Sequence, residues 1–220
     1  MRHRLSAAAL VLAVCASAAA PPAHAGPPLL GAYVPGGVAP LEARLGRKLD
    51  IDNHFAKFFW TSLGDEAADI AAGRTPMLSW SAGTGSGGCV LLADVTAGQY
   101  DPPLRAQAAT IRALGGTVWL RLFYEMTDSP AEACANPTRS GPIFIAAWQH
   151  VVSLFRAAGA ANAKWAWAPG EPAYAKNIEL NYWPGGSFVD VVGEDHYWKT
   201  AADWPAVWSV CAVAQSLGKP

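Results

Sequence analysis

Hydrophobic and polar positions alternate between two rhythms along this chain. From Gly31 onward, short apolar runs of strand type are followed by longer stretches with helical spacing. The pattern predicts strands at Gly31–Val34, His54–Trp60, Pro76–Trp80, Thr117–Glu125, Lys164–Ala168 and Phe188–Val192. Helices are predicted at Leu41–Leu49, Asp65–Ala72, Pro103–Leu114, Ile143–Ala158 and Trp204–Leu217, three of them stopped by Gly115-Gly116, Gly159 and Gly218. Strand followed by helix, repeated, implies parallel strands joined by crossover helices. Runs such as TVWLRLF and VDVV read as strands covered on both faces.

Two architectures satisfy that rhythm, an open doubly wound sheet and a closed (β/α)8 TIM barrel. No GxGxxG or GxxxxGK[ST] follows the first strand, which removes the main support for a nucleotide-binding open sheet. Gly83, Gly85, Gly87 and Gly88 form a flexible loop and open no helix. Polar and aromatic groups gather where strands end: Trp80, Glu125, Pro169-Gly170-Glu171, and Asp195 with Tyr197. A barrel builds its active site on that face. About six of the eight strand–helix units are present, so the expected fold is an incomplete α/β barrel.

The N-terminus changes the picture of the compartment. Arg2 and Arg4 precede an uncharged apolar stretch from Leu5 to Ala20, and Ala23-His24-Ala25 offers small residues before a cut. Residues 1–25 are read as a signal peptide and 26–220 as one partial barrel domain, exported and expected to be monomeric. The apolar run is too short for a membrane span, and Val14 before Cys15 argues against a lipidation site. A formal net charge of −1 without a basic stripe excludes nucleic acid and anionic membrane as expected partners. Ten tryptophans exceed ordinary core filling and fit platforms for sugar rings, with core packing as the competing use. His54, His150 and His196 have no zinc spacing, so no metal and no cofactor are expected.

The segments AGQYD at Ala97, LRLFYEM at Leu120, WAWAP at Trp165 and VDVVGEDHYW at Val189 together resemble glycoside hydrolase family 26, secreted barrel enzymes that mostly cut β-mannans. Arg121 and Glu125 match the family's Arg-x-x-x-Glu, whose glutamate is the general acid/base. Gly193, Asp195 and Tyr197 match its Gly-x-Asp-x-Tyr. The resemblance implies Glu125 as the catalytic residue and Arg121, Tyr124, Trp80, Asp195, Tyr197 and Trp198 as substrate-binding residues. Each keeps a plainer alternative: Glu125 neutralising Arg121, Asp195 capping a loop, and the tryptophans packing as rim residues. The sequence departs from the family at Tyr124, where His is common, and at Thr127, where Asn is frequent. A Tyr hydroxyl still hydrogen-bonds but does not titrate near neutrality.

Retaining glycosidases need a second carboxylate about 5–5.5 Å from the first. The family carries it on the seventh strand, so the chain to Pro220 is expected to lack the nucleophile and to be inactive alone. The alternative is a non-catalytic carbohydrate-binding protein on a degenerate barrel. Cys89 and Cys134 fall in the loops after the third and fourth strands, adjacent on one barrel face, and are expected to pair in an oxidising compartment. Cys211 is then the odd cysteine of the residues after the cut.

Overall fold

The computed structural model describes residues 29–127, 129–170, 173, 178–195 and 208–220. The residues read as a signal peptide, Glu171, His196, Tyr197 and Trp198 lie outside them. Six strands form one sheet in sequence order: β1 (Gly31–Ala32), β2 (Ile51–Ala56), β3 (Thr75–Trp80), β4 (Val118–Leu122), β5 (Ala163–Trp167) and β6 (Val191–Val192). Every neighbouring pair is parallel. The sheet curls into half of an α/β barrel, with α1 (Ala39–Leu45), α2 (Gly64–Ala71), α3 (Leu92–Thr96), α4 (Asp101–Leu114), α5 (Pro130–Ala135), α6 (Gly141–Ala157) and α7 (Trp208–Ser216) along the connections.

Local signals explain most boundaries. Asp101-Pro102-Pro103 starts α4 with prolines that need no amide partner, and Gly115 ends it in the left-handed region at φ 72°. Ser140 caps α6 by accepting from the Ile143 amide at 3.4 Å. β2 begins three residues before its predicted start, because Ile51-Asp52-Asn53 pairs with β3 from Thr75 onward. The fourth strand is shorter than expected. It ends at Leu122, and the chain then turns through Phe123 and Glu125, both at positive φ.

The period of two decides which face each side chain takes. In β4, Val118, Leu120 and Leu122 are fully buried beneath the helices, whereas Trp119 and Arg121 point into the barrel. β3 follows the same parity. Leu78 and Trp80 turn outward, and Met77 and Ser79 turn inward, with Ser79 beside Arg121 and Trp80 beside Leu122. The outer faces meet Leu104, Ala108 and Ile111 of α4 and Phe144, Trp148, Val151 and Phe155 of α6 in one continuous core.

Expectation and structure part at Trp80. It is not a platform at the mouth. The ring is completely buried between Phe58, Trp60 and Phe155, and its Nε1 donates to the Phe58 carbonyl at 3.1 Å. Its even position in β3 points it at the helical layer, where no sugar reaches. Trp148 and Trp167 are used likewise, donating to the carbonyls of Phe188 at 3.0 Å and Tyr182 at 3.2 Å. No helix among the described residues is long and apolar enough to cross a membrane.

Cys89 and Cys134 form a disulfide with Cα atoms 6.0 Å apart, tying the loop after β3 to α5 across a sequence separation of 45. Closing a loop of that size restricts the unfolded chain substantially. The double variant Cys89→Ala/Cys134→Ala is expected to lose about 2–4 kcal/mol of stability in urea unfolding. An unchanged midpoint would show that the crosslink contributes nothing.

Candidate active site

The mouth of the half-barrel is built from strand ends. Arg121 rises from the inner face of β4, and its Nη1 forms an ion pair with Asp195 Oδ1. Asp195 follows β6, where its amide donates to the Pro169 carbonyl at 3.1 Å and pairs its strand end with Gly170. The guanidinium carbon lies 4.6 Å from the centroid of the Tyr124 ring and 5.9 Å from that of Phe55. Tyr33, Phe55 and Tyr124 meet edge to face, with centroids 4.9 and 5.7 Å apart. Tyr33 and Phe55 are about half exposed, at 53% and 51%. These two are the accessible aromatic rings of the described mouth. Their positions, beyond β1 and in the inward register of β2, carry no motif in the sequence.

Glu125 reaches this mouth through unusual backbone. Phe123 and Glu125 sit at φ 46° and 52°, in the left-handed region that bulky residues seldom occupy. The turn is held by amide bonds from Phe123 to the Trp80 carbonyl at 2.8 Å and from Glu125 to the Ala168 carbonyl at 2.9 Å. Neighbouring strands β3 and β5 thus enforce the conformation. Positions of this kind cost about 1–3 kcal/mol each and persist where the surroundings over-determine them.

The electrostatics tie these groups together. Burial raises the Asp195 carboxyl above the usual range, Arg121 opposes that rise, and the Glu125 charge adds to it. Asp195 Oδ2 is buried and accepts no hydrogen bond from a described residue. Burial also raises the Tyr124 hydroxyl, with Arg121 pulling the other way. Arg121, Tyr124, Asp195 and Glu125 therefore share one site, drawn from the ends of β4 and β6. Trp80 lies outside it.

Two other acidic groups escaped the sequence reading. On the outward side of β2, His54 Nε2 meets Asp69 Oδ2 at 2.7 Å and Asp52 Oδ2 at 3.9 Å, and Arg74 holds Asp69 Oδ1 at 2.8 Å. Asp52, His54 and Asp69 offer donor atoms within 4.8 Å of one another, a set able to hold a metal ion. They line a cavity of about 930 Å³ with Glu66 and Arg74. Both Asp69 oxygens have partners, His54 on one and Arg74 on the other, which ties α2 to β2 and to the residue before β3.

The second is Glu132 of α5, only 2% exposed. Its Oε1 accepts from the Ala82 amide at 3.0 Å, while Oε2 has no partner among the described residues. Burial pushes its carboxyl from the ordinary 4.5 up to about 8.

With this geometry in place, the chain can be set beside known proteins. It has the α/β-barrel fold of several solved glycosidases, among them family 26 β-mannanases. One is a β-mannanase from Bacteroides ovatus, at TM-score 0.67 and 14% identity, covering 87% of this chain and 70% of that one. Another is an endo-β-1,4-mannanase from Cellulomonas fimi, at TM-score 0.66 and 16% identity, covering 87% of this chain and 54% of that one. A Bacillus subtilis mannanase gives 0.63 and 15%, covering 83% and 69%. In sequence, the chain is 28% identical to endoglucanase H of Acetivibrio thermocellus, over 81% of this chain and 21% of that protein. The chain thus spans about a fifth of that relative's length. No protein-family model matches.

The Glu132 carboxyl makes a pH dependence testable. The folded state keeps a proton that the unfolded chain releases above 4.5, so stability falls as pH rises from there and levels off above about 8. Glu132→Gln keeps an acceptor for the Ala82 amide and carries no charge. Urea unfolding between about pH 5 and pH 9 is expected to show roughly 3–5 kcal/mol less alkaline loss in this variant. Parallel curves for the two proteins would assign the loss elsewhere.

Proposed function

We propose that this chain is the greater part of a secreted glycoside hydrolase barrel cleaving β-linked polysaccharide, β-mannan foremost, by a retaining mechanism. The observation that carries the reading is the Arg121–Asp195 ion pair at the C-terminal ends of the strands, on the same face as the turn that carries Glu125. Barrel enzymes assemble catalytic groups from several strand ends at that face. The relatives named above are mannanases and an endoglucanase, and the disulfide suits an oxidising compartment.

In this reading Glu125 protonates the leaving glycosidic oxygen and later takes a proton from water. The turn that carries it, with Phe123 and Glu125 at positive φ, lies at the end of the strand beside Arg121. Arg121 offsets part of the rise that burial imposes on Asp195, whose buried Oδ2 is left to accept a hydrogen bond from a sugar hydroxyl. The Asp195 carboxylate is committed to Arg121 and does not serve as nucleophile. Tyr33 and Phe55 offer apolar ring faces to the glycan, the role first expected of Trp80, with Tyr197 and Trp198 as further contacts. A retaining mechanism also needs a nucleophilic carboxylate about 5–5.5 Å from the first, expected at the end of another strand. The protein is read as working as a monomer.

The test uses the parent gene read past codon 220, with both lengths assayed on mannan, xylan and mixed-linkage glucan. In the complete protein, Glu125→Gln should keep the fold and glycan binding while lowering turnover about 10²–10⁴-fold. A substrate with a good leaving group should recover part of the loss. Undiminished hydrolysis by the Gln variant would make Glu125 a structural residue. Binding without hydrolysis in every length would identify a carbohydrate-binding protein instead.

A further inference from the structure

Arg121 is held by more than its ion pair. Its Nε donates to Ser79 Oγ at 2.9 Å, and Ser79 Oγ in turn donates to Asn53 Oδ1 at 2.6 Å. These side chains belong to three consecutive strands and all point into the barrel. Ser79 pairs laterally with Arg121, and Asn53 stands one inward position lower on β2.

The direction of the first bond is fixed: Arg121 has donors only, so Ser79 must accept from it. Ser79 keeps its own proton to give, and the atom it meets on Asn53 is the carbonyl oxygen Oδ1. Ser79 is completely buried, so no water can take the place of either partner. The relay runs Arg121 to Ser79 to Asn53, and it sets the side-chain angle of Arg121 independently of Asp195.

We propose that Ser79 and Asn53 are positioning residues of the active site: they hold the Arg121 fork so that Nη1 meets Asp195 beside Glu125. This inference rests on the glycosidase reading for its consequence in catalysis, but not for the relay itself. With Nε anchored to β3 and its central carbon 4.6 Å over the Tyr124 ring, the guanidinium has little freedom left, and the ordering cost is met in the folded protein. Removing the hydroxyl frees the head group to rotate away from Asp195.

The full-length protein carries the test, with Ser79→Ala removing the hydroxyl and Ser79→Thr keeping it. Two readings need no activity. In Ser79→Ala, hydrogen exchange of the Arg121 Nε–H should speed up about tenfold or more. The Asp195 carboxyl, followed by carbon-13 NMR, should titrate about one unit higher as Arg121 withdraws. Ser79→Thr should leave both near native. On β-glycan, Ser79→Ala should lower kcat about ten- to a hundredfold with KM within about twofold. If Ser79→Thr does not fold, Asn53→Asp, which keeps the acceptor, replaces it against Asn53→Leu. A folded Ser79→Ala protein with native exchange and native Asp195 titration would overturn the relay. Shifted NMR readings in a protein that cleaves no glycan would uphold the relay and remove the glycosidase reading.

Discussion

A guanidinium group stands inside the barrel at Arg121, and the mouth is arranged to make that tolerable. An isolated buried cation is costly, and the cost is offset only when the charge is paired and its donors are used. Here Asp195 neutralises it, Ser79 takes Nε, and Tyr124 and Phe55 present ring faces to it. Each partner comes from a different part of the chain. Satisfying one charge therefore draws β2, β3, β4 and the segment after β6 to a common point, and Glu125 lies at the edge of it.

The packing outside the sheet leaves the inner face free to be polar. Trp80, Trp148, Trp165 and Trp167 are all buried, and the core they form with α4 and α6 is aromatic and continuous. Three of them also spend their Nε1 on a backbone carbonyl. Tryptophan here fixes loops to the helical layer as well as filling space. The richness of the sequence in tryptophan thus answers a structural need in these four, and the accessible rings of the described mouth are a tyrosine and a phenylalanine.

Much of the fold was legible because its signals are local and repeated. Prolines and glycines bracket α4, apolar runs mark the strands, and their order implies a parallel sheet. The closeness of Arg121, Tyr124 and Asp195 was legible as a set of motif spacings. What was missed has nonlocal causes. β2 was placed too late because Phe58 to Trp60 is as apolar as any strand, and only pairing with β3 selects Ile51–Ala56. The role of Trp80 turned on parity, since a shift of one position separates the mouth from the helical layer. Short α3 and α5 carry too few turns for a periodic signal, and buried Glu132 gave no sign in sequence of the apolar surroundings that keep it protonated.

The strained turn at Phe123 and Glu125 shows how the two layers cooperate. Had β4 continued, residue parity would place Phe123 and Glu125 inward with Arg121 and send Tyr124 toward the helices. The two left-handed residues break that register. Phe123 is completely buried, stacking parallel to Phe58 and meeting Phe144 edge-on, while Tyr124 lies against Arg121. A buried phenylalanine thereby anchors the outer side of the turn, and bonds to the carbonyls of Trp80 and Ala168 fix its backbone. Apolar burial and two amide hydrogen bonds, each worth about 0.5–1.5 kcal/mol net, are of the size needed to hold a conformation costing about 1–3 kcal/mol per residue. The acidic residue that ends an apolar strand is thus held in place by the core beneath it.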